Sequence, residues 1–157
     1  MQDKLVKKIN IEKALKMAII HDLPEVIAGD ESALGEDGTG KKSYAYNKIE
    51  KQKRFVNERN AAKELFSKIS GRKGNELYKL WLGYEKKESY EAKVVKALDR
   101  IECMMQVLEY RKGHMFKKHL EFTINYSITG SEIDPAIEKL GKHIANELKK
   151  KFKEFKK

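Results

Sequence analysis

Residues 89–108 read Ser89-Tyr-Glu-Ala-Lys-Val-Val-Lys-Ala-Leu-Asp-Arg-Ile-Glu-Cys-Met-Met-Gln-Val-Leu108, and their rhythm decides the fold class. Apolar side chains return at Val94, Val95, Leu98, Ile101, Met104, Met105 and Leu108, in steps of three and four rather than two. That spacing predicts a helix opened by Ser89, Glu91 and Ala92, the most buried of the chain, with Cys103, Met104 and Met105 in its core. The same rhythm continues on both sides. After Ser131 and Pro135, the residues Ile133, Ile137, Leu140, Ile144, Leu148, Phe152 and Phe155 recur near a heptad and predict a last helix. Upstream, Leu77, Leu80, Trp81 and Tyr84 predict a shorter helix. Ile49, Phe55 or Val56, Ala62, Leu65, Phe66 and Ile69 predict a long one over 46–69, ended by Gly71 and Gly74. Asn10 caps a helix whose apolar positions are Ala14, Leu15, Ala18 and Ile19, running up to His21. Pro24 restricts the residue before it, a short turn restarts there, Gly29 ends it, and 30–42 reads as a loop. The expected architecture is all-α: a bundle of about six helices in one domain over 1–157, with 149–157 as the basic end of the last helix.

A chain of 157 residues can bury roughly two thirds of the surface its unfolded form exposes, so it needs neither disulfide nor structural metal to hold a core. Cys103 is a single cysteine and can form no internal disulfide, which points to a reducing, cytoplasmic setting. No run of about 18 apolar residues and no secretion signal occurs, so neither export nor a membrane span is expected. Lys and Arg number 34 against 24 Asp and Glu, a net charge of +10, which raises nucleic acid as a partner. With 37% of residues charged in both signs, the surplus reads instead as a solvated helical surface. Lys149, Lys150, Lys151, Lys153, Lys156 and Lys157 concentrate much of it at the end of the chain. The pairs Lys7-Lys8, Lys41-Lys42 and Lys117-Lys118 are scattered, with no interleaved aromatics, which disfavours a nucleic-acid-binding module.

Two places put chemistry where packing does not ask for it. His21-Asp22 follows the apolar Met17, Ala18, Ile19 and Ile20. An imidazole and a carboxylate there can turn toward one cation, though such a pair more often forms a helix end with a solvated acid. Asp99 falls one turn from Val95 and beside Leu98, near the apolar stripe, where an unpaired charge is costly. A metal ion would satisfy it, and so would an ion pair with Lys96 or Arg100.

Three blocks in order carry a family resemblance. Ala14-Leu-Lys-Met-Ala-Ile-Ile-His-Asp-Leu-Pro-Glu-Val-Ile-Ala-Gly-Asp30, Tyr78-Lys-Leu-Trp-Leu-Gly-Tyr-Glu85 and Glu91-Ala-Lys-Val-Val-Lys-Ala-Leu-Asp99 together resemble the HD-domain phosphohydrolases of the 5'-deoxynucleotidase type. The resemblance implies hydrolysis of (deoxy)nucleoside 5'-monophosphates by one divalent metal cation: Mn, Co, Mg, Fe or Zn. It places His21, Asp22 and Asp99 as metal ligands, Glu25 as the carboxylate that orients or deprotonates the attacking water, and Asp30 as a second catalytic acid. Glu25, one turn past His21, can reach such a site, and Gly29 lets the backbone bring Asp30 back. The family's first histidine lies on an earlier helix, and residues 1–20 hold none. The resemblance therefore implies one or two further N-terminal helices carrying that ligand. It also implies a homodimer, with Trp81 and Tyr84 as packing near its interface. Hydrolysis of another phosphate ester, and a degenerate member without catalysis, are the alternatives it leaves.

Overall fold

The structure is a computed structural model that describes residues 2–111 and 114–155; Lys156 and Lys157 of the basic end lie outside the described residues. Among the described residues the regular structure is helical, without strands: α1 (Ile11–Ile20), α2 (Glu25–Ala28), α3 (Lys48–Ser67), α4 (Arg72–Glu85), α5 (Tyr90–Gln106), α6 (Lys117–Ser127) and α7 (Pro135–Phe155). Among the described residues no helix is long and apolar enough to cross a membrane. The chain forms two compact units, Asn10–Ala92 and a second of Met1–Ile9 with Lys93–Lys157.

In the Asn10–Ala92 unit, α1 starts where expected. Asn10 Oδ1 accepts from the Lys13 amide at 3.0 Å, and the Asn10 amide itself donates to Glu91 Oε1. The buried face of α1 differs from the expected one. Ala14, Met17 and Ile20 point inward, whereas Leu15 and Ile19 are 58% and 71% exposed and Ala18 is exposed too. Several apolar residues in a row fit more than one helical stripe, so only packing against α4 selects the set.

α3 starts at Asn47, whose Oδ1 accepts from the Ile49 and Glu50 amides. Its buried residues are Glu58, Ala61, Ala62 and Phe66, while Ile49 and Ile69, expected inside, are exposed. Gly71, at φ 74°, does break the chain between α3 and α4. Gly74 does not end anything: it lies buried inside α4, against the Phe66 and Ile69 carbonyls, where a Cβ has no room. That close approach lets Trp81 pack with Ile20, Ala62 and Phe66 as the core of this unit. Removing a buried Trp costs about 3–5 kcal/mol in such settings. Between α2 and α3 the chain is a loop, as expected, pinned by Asp37 bonding Thr39 and by Ser43 Oγ donating to the Ala33 carbonyl.

In the second unit α5 places Ala97, Ile101 and Met104 inside, one turn apart. Cys103 and Met105, expected in the core, sit on the exposed flanks of that stripe. α5 passes into a π-helical turn at Val107–Arg111. α6 was not expected, because no side chain caps it and its buried Leu120, Phe122, Ile124 and Ser127 do not form a single clean stripe. α7 is entered through Asp134, fully buried, whose carboxylate accepts from the Ala136 amide at 2.8 Å and the Val6 amide at 2.7 Å. The apolar stripe of α7 faces inward: Ile137, Ile144, Leu148 and Phe152 are buried, and Gly141 lets Ile101 pack closely against the helix.

Candidate metal and phosphate site

His21 is the residue at which α1 stops; its amide still bonds the Met17 carbonyl at 3.0 Å. The ring is oriented by its own helix. Nδ1 stands 2.8 Å from the Ala18 carbonyl oxygen, which can only accept, so the proton of a neutral ring is assigned to Nδ1. Nε2 then carries the lone pair, and it faces Asp22 Oδ2 at 3.0 Å. Two acceptors at that distance repel unless a proton or a cation lies with them. An imidazole held through its far nitrogen by a backbone carbonyl, beside a carboxylate, is a donor set that suits a divalent ion.

Two aromatic residues fix this corner. Trp81 Nε1 donates to the His21 carbonyl at 3.0 Å, and the Tyr84 ring meets the imidazole edge-on with centroids 5.2 Å apart. At 1% and 0% exposure Trp81 and Tyr84 are packing residues, as the sequence suggests, but not surface ones near an interface, and they also serve the seat of His21.

One turn on, the α2 carboxylate of Glu25 is met by Arg54 from α3, Nη2 to Oε1 at 2.7 Å. Arg54 Nε donates to Glu58, which is 7% exposed, and the Tyr44 ring covers the guanidinium at 3.8 Å. Asn57 Nδ2 bonds the Ala28 carbonyl at 3.2 Å, a second tie from α3 to α2. Burial, and then the nearby Asp22, push the Glu25 carboxyl up to about 7; Arg54 opposes this, and Asp30 and Glu58 add to it. Asp30 is exposed, just after Gly29, whose φ of 84° makes the bend that the sequence suggested. His21, Asp22, Glu25 and Asp30 thus lie within ten residues of one unit.

Sequence reasoning missed Arg54, Glu58 and Tyr44. The available signal was an Arg and a Glu at i, i+4 standing on the stripe of Ala61, Ala62 and Leu65, where a charged pair needs a reason.

Asp99 lies in the second unit on α5. It is half-buried, and Lys96 Nζ comes to 4.0 Å of Oδ2, whereas Arg100 donates to the Thr129 carbonyl at 2.8 Å and covers the Tyr126 ring. The other histidines of this unit have local surroundings: His114 against Phe155, His119 edge-on to Phe116, and His143 exposed on α7.

The chain belongs to the HD domain family, which matches residues 1–156. It is 35% identical over 106 residues to 5'-deoxynucleotidase HDDC2 of Dictyostelium discoideum, covering 68% of this chain and 50% of that protein. Against 5'-deoxynucleotidase HDDC2 of Homo sapiens the identity is 31% over 103 residues, 66% of this chain and 45% of the relative. A 5'-deoxynucleotidase of Saccharomyces cerevisiae is 28% identical over 114 residues, 73% of this chain and 44% of the relative. The chain thus spans about half the length of the curated relatives it matches. No solved structure matches it.

Proposed function

We propose that this HD domain is a metal-dependent phosphohydrolase that cleaves (deoxy)nucleoside 5'-monophosphates to nucleoside and phosphate. The observation that carries the reading is the His21–Asp22 pair, whose Nε2 and Oδ2 face each other at 3.0 Å with the far side of the ring held by Ala18. The substrate class is supported by the similarity to the 5'-deoxynucleotidase relatives. His21 and Asp22 are the ligands proposed within the Asn10–Ala92 unit, and Asp99, by its place in the third matching sequence block, is proposed as the distant one.

A divalent cation held by these residues would supply Lewis acidity, drawing charge from a phosphate oxygen and making water acidic enough to react near neutrality. Glu25 takes a proton from the attacking water as its oxygen bonds phosphorus and the phosphorus–O5' bond breaks. A carboxyl poised near 7 suits that task, since the best general base has a pKa close to the working pH. Asp30, close enough to act on the charge of Glu25, shares the proton traffic and returns a proton to the departing 5'-oxygen.

The test is phosphate release from each nucleoside 5'-monophosphate and from unrelated phosphate esters, with Mn, Co, Mg, Fe or Zn supplied in turn. Release confined to the nucleotides supports the reading, and release from the other esters moves the substrate class. His21→Ala and Asp99→Ala are expected to lose bound metal by elemental analysis together with turnover. Unchanged metal content in either variant removes that residue from the ligand set, and metal uptake without hydrolysis by the unaltered chain marks a degenerate member.

A further inference from the structure

We propose that Arg54 is a positioning residue: it holds Glu25 in one orientation so that Oε2 is presented to the water. The proposal rests on the functional reading above. Glu25 sits on α2, a single turn with no buried residue, which by itself cannot fix the direction of a long carboxylate side chain. α3, at 20 residues, is the rigid neighbour. From it Arg54 reaches Glu25 Oε1 through Nη2 at 2.7 Å while Nε is tied to the buried Glu58.

The guanidinium has little freedom left. Tyr44 lies over its face at 3.8 Å, and the side chains of Arg54 and Glu25 are each 18% exposed. Because the planar fork engages two carboxylates in fixed directions, fixing Glu58 fixes Glu25. Asn57, three residues along α3, holds the α2 backbone through the Ala28 carbonyl and so sets the register of the whole arrangement. A lysine could supply the charge but not the two-way geometry. Asp22, Asp30 and Glu58 are the acidic neighbours of Glu25, and Arg54 is the cation that keeps its carboxylate from turning away from them.

The experiment compares the full chain with Arg54→Gln, Arg54→Lys and Arg54→Ala, using Mn2+ and the nucleoside 5'-monophosphate released fastest. Arg54→Gln is expected to lower kcat about 100-fold, the scale of a reacting group misplaced by an ångström. KM and Mn2+ affinity should stay within about twofold, because the metal ligands are untouched. Arg54→Lys should lie between, and free guanidinium should restore Arg54→Ala by about tenfold.

A second readout needs neither metal nor turnover. In a thermal double-mutant cycle of Arg54→Gln with Glu25→Gln, the two shifts in Tm should be non-additive by at least about 2 °C. The proposal is overturned by additive shifts, by a wild-type kcat in Arg54→Gln, or by losses of kcat, KM and Mn2+ affinity that move together and do not respond to guanidinium. If Arg54→Gln fails to fold, Arg54→Lys decides by the same criteria. A wild-type chain that releases no phosphate from any nucleotide overturns the functional reading and this role with it. Wild-type turnover matched by Arg54→Gln overturns the positioning role alone.

Discussion

Glu25 and Glu91 belong to the same unit and each faces a cation, yet they end at opposite extremes. Glu25 meets Arg54 at 2.7 Å and is pushed up to about 7, whereas Glu91 meets Lys13 at 3.2 Å and is held down to about 2. The cation does not make the difference. Glu91 sits in the first turn of α5, where the Asn10 amide and its own amide donate to it, so the ionised form is stabilised by dipoles that cannot leave. Glu25 is desolvated and has Asp22, Asp30 and Glu58 around it, so every neighbour but Arg54 favours the proton. One carboxylate is built to stay charged and hold two chain segments together. The other is held where it can take up or release a proton near neutrality.

The comparison is broken most severely by Glu25→Gln. Loss of a general base typically costs about 100- to 10,000-fold in rate, so phosphate release should fall by that scale while metal content is retained. Equal activity in this variant would remove Glu25 from the reaction. Next in size is Trp81→Phe, which keeps most of the volume and takes away the donor to the His21 carbonyl. Chemical denaturation should report a loss of about 1–3 kcal/mol, the cost of an unsatisfied buried acceptor, together with weaker metal binding as the seat of His21 loosens. A stability loss with unchanged metal affinity would show that Trp81 supports only the core.

Glu91→Gln should cost about 1 kcal/mol at pH 7, a figure discounted for an ion pair in contact with solvent. Its pH dependence has a definite sign. The folded pKa is lowered, so the stabilisation is complete above the ordinary value of 4.5 and is lost as pH falls toward 2. The variant and the wild type should therefore converge in Tm near pH 2. Glu25 acts on the metal-free chain with the opposite sign. Its folded pKa is raised, so its contribution is fully present below 4.5 and lost as pH rises through about 7. Between pH 5 and 8 wild-type Tm should fall relative to that of Glu25→Gln, and parallel curves would show that Glu25 titrates normally.

Much of the framework was legible in the sequence because it depends on near neighbours. Asn10 and Ser89 cap helices with their own side chains, Pro24 and Gly29 bound α2, and the His21-Asp22 dipeptide is adjacent whatever the rest of the chain does. What failed were choices among equivalent local patterns. Leu15 and Ile19 are as apolar as Met17 and Ile20, and only the packing of α4 against α1 decides which pair is buried. α6 escaped notice because it has neither cap nor clean stripe, so its helicity depends on packing against α7.

The sequence by itself determined the helical class, the family and the residue types able to hold a cation, since periodicity, capping and an adjacent imidazole and carboxylate are properties of short segments. Only the tertiary structure decided how those residues are prepared for chemistry. The Ala18 carbonyl turns the His21 ring, Trp81 holds its backbone, and Arg54 arrives from 29 residues away to meet Glu25. The reason is physical: a proton affinity or a ring orientation is set by desolvation and by donors brought through space, and neither is a function of distance along the chain.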